Sequence, residues 1–118
     1  MLAERVIQGI GLYRVRARLV NGDELYLLER FEWIDDAIQV GKYAFHWQRA
    51  DGALIRRWDN APHHPEIATF PDHLHEGSED TVLPHAAVDS FRVLRMVEAA
   101  LSMSLNPSST NPQAPRTP

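Results

Sequence analysis

The chain has 118 residues, enough for one domain and too few for two independent cores. Its hydrophobic fraction of 44% and charged fraction of 24% are those of an ordinary globular protein, which excludes global disorder, and no apolar stretch approaches the roughly 20 residues of a membrane-spanning helix. With no cysteine, disulfides, thiolate metal sites and cysteine nucleophiles are excluded, and a net charge of -4 argues against indiscriminate nucleic-acid binding. Met1 to Gly11 carries Glu4 and Arg5 where a signal peptide would be apolar, so a cytoplasmic location is expected.

From Leu12 to Leu19, Tyr13, Val15, Ala17 and Leu19 alternate with Arg14, Arg16 and Arg18, the period-two pattern of a half-buried strand. Asn21-Gly22-Asp23 favours a turn, and Glu24 to Phe31 resumes as the second arm of a hairpin. A turn-like acidic cluster spans Trp33 to Asp36, and Ile38 to Gln48 follows as a third strand with Tyr43, Phe45 and Trp47 on one face. Asp51-Gly52 then turns Ala53 to Trp58 back against it, predicting a meander of about four strands. Prolines at 62, 65, 71 and 84 predict a mostly irregular, histidine-rich loop over Ala61 to Pro84, anchored by Ile67, Phe70, Leu74 and Val82.

Asp89 or Ser90 caps a helix running to about Met103, with Phe91, Leu94, Val97, Ala100 and Leu101 at three- and four-residue spacings and expected to face the sheet. The predicted class is therefore α+β: an antiparallel meander of four or more strands packed by one C-terminal helix, with the long loop between the last strand and the helix. One domain is expected over residues 1–104. Residues 105–118, rich in Pro, Ser, Thr and Asn, read as a disordered tail.

Charge is unevenly distributed. Asp59 to Asp89 holds seven acidic residues, five histidines and no Lys or Arg, whereas basic residues precede it at Arg14, Arg16, Arg18, Arg30, Lys42, Arg49, Arg56 and Arg57. His63, His64, His73 and His75 fall within thirteen residues, and His46 on the preceding strand is positioned to join them. Histidine both donates and accepts protons near neutrality and also ligates metals. Three readings follow. In one, a histidine pair with Arg57 forms a metal-independent ribonuclease site: one histidine deprotonates the 2′-hydroxyl, another protonates the leaving oxygen, and Arg57 neutralises the phosphorane. In another, His63 or His64 with His73 and His75 holds a divalent ion, completed by Asp72 or Glu66, although the spacing fits no fixed zinc pattern. In the third, the histidines cap carbonyls and stack on Trp47, Trp58 and Phe70, or the loop docks a partner without turnover.

The run Arg57-Trp58-Asp59-Asn60-Ala61-Pro62-His63-His64, followed by Thr69-Phe70-Pro71 and His73-Leu74-His75, resembles the signature of the TumE family of toxins of toxin-antitoxin pairs, as do the preceding His46-Trp47-Gln48 and Asp51-Gly52. The likeness spans about Gly11 to Leu101, with its specific part in the middle third. It implies a growth-inhibiting toxin encoded beside a helix-turn-helix antitoxin, and ribonuclease activity by analogy with other compact toxins. Arg57, Asn60, His63, His64, His73 and His75 match the motif, while Asp72 stands where relatives often carry a further histidine. The expected site thus comprises His46, Arg57, His63, His64, His73 and His75 for chemistry and Arg14, Arg16, Trp58 and Asn60 for substrate, without metal or cofactor. The expected partners are the antitoxin, an RNA and a second copy of the chain, with no membrane.

Overall fold

Six antiparallel strands in sequence order, closed on one face by a single helix, make up the computed structural model, which describes residues 7–105. The strands are β1 (Ile7–Arg18), β2 (Glu24–Ile34), β3 (Ala37–Gln48), β4 (Leu54–Asp59), β5 (His73–Glu76) and β6 (Val82–Pro84), and the helix is α1 (Ser90–Leu105). The α+β class and the meander are as expected. No helix among the described residues is long and apolar enough to cross a membrane. The disordered tail expected over residues 105–118 lies, apart from Leu105 at the end of the helix, outside the described residues.

Local chemistry explains the turns. Gly22 and Gly52 take φ of 94° and 93° at the first and third hairpins, a region that costs glycine little. The β2–β3 hairpin turns on Asp35 and Asp36, both at positive φ (51° and 63°), a conformation that acidic and amide side chains tolerate better than most. This turn is tighter than the acidic cluster suggests, so Trp33 and Ile34 still belong to β2. At the helix start, Asp89 Oδ1 accepts from the Arg92 amide at 2.8 Å, the expected cap.

Two expectations are corrected. Ala61 to Pro84 is not one unbroken loop: His73–Glu76 and Val82–Pro84 pair as strands, because Leu74 and Val82 bring apolar or half-buried positions into the ladder beside β4. The helix presents the expected face only in part: Val97, Ala100 and Leu101 pack on the core as their spacing requires, but Phe91 and Leu94 do not. Val93 and Val97 are buried in the core with Met96, Ala100 and Leu101 packed around them, while Phe91 and Leu94 are 68% and 44% exposed. The core joins this helix stripe to Leu25, Leu27, Tyr43, Phe45, Trp47, Trp58 and Leu74 from the sheet.

Candidate functional site

Residues directly opposite one another on neighbouring strands project to the same side of a sheet. The register therefore sorts every strand residue. Val15, Leu27, Phe45, Trp58, Leu74 and Leu83 form one continuous row on the helix side. The neighbouring positions form rows on the other side: Arg16, Tyr26, His46, Arg57, His75 and Val82 in one, and Arg14, Leu28, Ala44, Asp59, His73 and Pro84 in the next. Alternation in six strands thus gathers three arginines, three histidines and Asp59 onto the face that the helix does not cover.

That face has two parts. The first is an open groove of about 390 Å³ lined by Arg14, Arg16, Tyr26, His46 and Arg57 with apolar residues between them. Arg16 lies 5.4 Å from the centre of the Tyr26 ring, and Tyr26 meets His46 edge-on at 6.0 Å. The Tyr26 hydroxyl donates to Glu24 Oε1 at 2.8 Å, and that bond holds the phenol protonated above the ordinary tyrosine range. The same bond, with help from Arg18, pulls the Glu24 carboxyl below its usual range. His46 is fixed from both sides: Arg57 Nη1 donates to its Nδ1 at 3.5 Å and its Nε2 lies 3.0 Å from Gln48 Oε1. A guanidinium can only donate, so Nδ1 carries the lone pair and Nε2 the proton.

The second part is a buried polar hub around Asp59, which is 5% exposed. Asp59 Oδ2 accepts from Arg57 Nε at 2.9 Å, and Oδ1 accepts from the Ala61 amide at 3.0 Å. His73 Nε2 lies 3.0 Å from Oδ1 and His75 Nε2 3.5 Å from Oδ2. The other nitrogens of these two rings donate to backbone carbonyls, His73 Nδ1 to Pro71 at 2.8 Å and His75 Nδ1 to Glu79 at 2.9 Å. His64, on the loop after β4, meets both rings with centroids 5.1 and 6.0 Å away. Arg57 belongs to both parts, with one end of its guanidinium on His46 and the other on Asp59.

The expected residues divide accordingly. Arg14, Arg16, His46 and Arg57 share the groove, while His73 and His75 converge on Asp59 with His64 against their rings. His63, next to His64, is exposed and lies outside the trio. Trp58, expected to hold substrate, is 1% exposed in the hydrophobic core on the opposite face, because it sits one position out of phase with Arg57. Asn60 is committed to the backbone: its Oδ1 accepts from the Tyr43 amide and its Nδ2 donates to the Gly41 carbonyl, each at 3.0 Å. Asp72 has a structural use, since it accepts the Tyr43 hydroxyl at 2.7 Å. Tyr26 and Asp59 were not singled out in sequence. Their signal was the register itself, which places Tyr26 opposite His46 and Asp59 opposite His73.

The family model described as Toxin TumE matches residues 3–102, nearly the whole of the chain. Neither curated proteins nor solved structures gave a match. The match runs through every strand and most of the helix, and includes the block from His46 to His75, which supplies His46 and Arg57 to the groove and Asp59, His64, His73 and His75 to the hub. The chain belongs to the TumE toxin family, and is the toxin component of a toxin-antitoxin system with a cognate antitoxin as its partner.

Proposed function

We propose that this toxin acts by cleaving RNA in the groove of the open face. The observation that carries the reading is the row Arg16, Tyr26, His46 and Arg57, one residue from each of four adjacent strands, beside Arg14 in the same groove. Although the chain is acidic overall, this face concentrates guanidinium groups, and local field governs where a phosphate backbone settles. Arg14 and Arg16 hold flanking phosphates, and Tyr26 offers a ring face beside Arg16 on which a base stacks.

The chemistry needs no external nucleophile. The ribose 2′-oxygen attacks the adjacent phosphorus, its proton passes to the Nδ1 lone pair of His46, and the bond from phosphorus to the 5′-oxygen breaks. Arg57, released from His46 as the imidazole takes that proton, neutralises the charge on the phosphorane oxygens. The leaving 5′-oxygen takes a proton from water, to which the groove is open, and the hydroxide so formed takes the proton from His46 Nδ1, which restores the starting imidazole. The products are a 2′,3′-cyclic phosphate and a 5′-hydroxyl. His73 and His75 act as positioning residues in this scheme, since both are buried and both ring nitrogens of each face an oxygen. They hold Asp59, and Asp59 holds Arg57. The antitoxin in this reading is a helix-turn-helix protein, as the motif likeness implies.

The test is incubation of the purified full chain with a mixed-sequence RNA and mapping of the ends produced. Cyclic phosphate ends that disappear with His46→Gln are the expected result. Intact RNA from folded protein, or cut ends carrying a 5′-phosphate, would refute the scheme.

A further inference from the structure

We propose that His64, His73 and His75 form a binding site for a borderline divalent transition ion of the zinc type, with Asp59 as the oxygen donor beside them. This inference concerns ion binding alone and holds whether or not RNA is cut. One ring nitrogen from each of the three histidines can be chosen so that all lie within 4.8 Å of one another, close enough for small rotations of the rings to bring them onto one ion.

The stronger argument is how each ring is held. His73 Nδ1 meets the Pro71 carbonyl at 2.8 Å, His75 Nδ1 meets the Glu79 carbonyl at 2.9 Å, and His64 Nδ1 faces Glu66 Oε2 at 3.4 Å. Three imidazoles each turning Nδ1 to an oxygen acceptor is the arrangement that orients a metal-binding histidine, and the ion takes the place of the proton through which Nε2 of His73 and of His75 meets Asp59. For His73 and His75 those Nε2 atoms point to the same place, the two oxygens of Asp59, at 3.0 and 3.5 Å. His73, His75 and Asp59 are all at most 7% exposed, so the donors are already oriented and shielded from water. A nitrogen-rich set with one carboxylate suits zinc, nickel or copper rather than magnesium or calcium.

The site fastens the chain at three places: β4 through Asp59, β5 through His73 and His75, and the intervening loop through His64. The Asp59 carboxylate stands between the ion and the Arg57 guanidinium, whose Nε it accepts at 2.9 Å, and so separates the two positive groups. A bound ion therefore clasps the loop without entering the groove.

Untagged full-length protein, stripped with a chelator and dialysed, is titrated with zinc chloride by calorimetry alongside His64→Ala, His75→Gln and, as a control, His85→Ala, a histidine outside the trio whose Nδ1 meets the Ala86 carbonyl, with circular dichroism confirming each fold. His64 lies on a half-exposed loop, so its removal leaves the sheet intact and keeps the test decisive even where His75→Gln fails to fold. The expected result is one zinc per chain, affinity weakened roughly 100-fold by His64→Ala, which removes one of the three histidine ligands, and unchanged by His85→Ala. No saturable binding by the folded chain, or binding that His64→Ala leaves intact, would overturn the proposal.

Discussion

The two faces of the sheet are made from the same strands by the same alternation, yet they have opposite characters. On the helix side, Leu25, Leu27, Phe45, Trp47, Trp58 and Leu74 are buried against Val93 and Val97, and the row has no charged member between Val15 and Leu83. On the other side the corresponding rows carry Arg14, Arg16, Tyr26, His46, Arg57, Asp59, His73 and His75. One face supplies stability through apolar burial, and the other gathers guanidinium, phenol, imidazole and carboxylate groups. The division is not perfectly clean. Asp59, His73 and His75 lie on the polar face but are as buried as the core, so substitutions there should report on stability and function together.

The largest effect is expected in the apolar row. Trp58→Ala leaves a void at the centre of the core and should cost about 3–5 kcal/mol in urea unfolding, so a loss below about 1 kcal/mol would show that the covered face is not the stabilising one. Asp59→Ala comes next. It strands Arg57, His73 and His75 without their shared acceptor, and a loss of roughly 3 kcal/mol in the same measurement is expected, as for breaking a buried charge pair. If Asp59→Ala were neutral, the hub would be peripheral rather than a support for the groove.

Arg57→Lys separates the faces most directly. The charge remains, but the guanidinium fork that reaches both Asp59 and His46 is lost, so RNA cleavage should fall about 100-fold while the fold persists. Tyr43→Phe, on the helix side, removes the bond to Asp72 and should cost about 1 kcal/mol. The pH dependence has a definite sign. Burial, followed by the Asp72 bond, raises the Tyr43 hydroxyl well above its ordinary value of 10.0, so the unfolded chain ionises there first. The stabilisation is therefore complete below about pH 10 and is lost as pH rises beyond it, and the stability difference between wild type and Tyr43→Phe should shrink above that pH. The smallest effect belongs to Arg16→Ala, within about 0.5 kcal/mol in stability, with the salt dependence of RNA binding reduced by about one phosphate contact.

Much of this division could be read in advance, and its failures have physical causes. β1 to β4 are long enough for alternation to show, and Tyr43, Phe45 and Trp47 share a buried face as their spacing requires. β5 and β6 have only 4 and 3 residues, and β5 is mostly histidine and glutamate between Pro71 and Gly77, so no apolar period marks it. The helix carries apolar residues on more than one side, and spacing alone could not choose Val93 over Phe91 or Leu94. In the candidate site, composition marks a histidine-rich stretch but cannot separate neighbours of opposite phase. Arg57 and Trp58 go to opposite faces, and His64 joins the trio while His63 stays in solvent. Tyr26 was invisible because a single tyrosine in a strand gains meaning only when its cross-strand partner is known to be His46.

The central claim is that toxicity resides in the open groove rather than in the fold as a whole. Growth of cells expressing the full chain, compared with cells expressing His46→Gln at equal abundance and matched unfolding midpoint, tests it directly. The expected result is growth arrest by the parent chain and none by His46→Gln; undiminished arrest by the folded variant would contradict it.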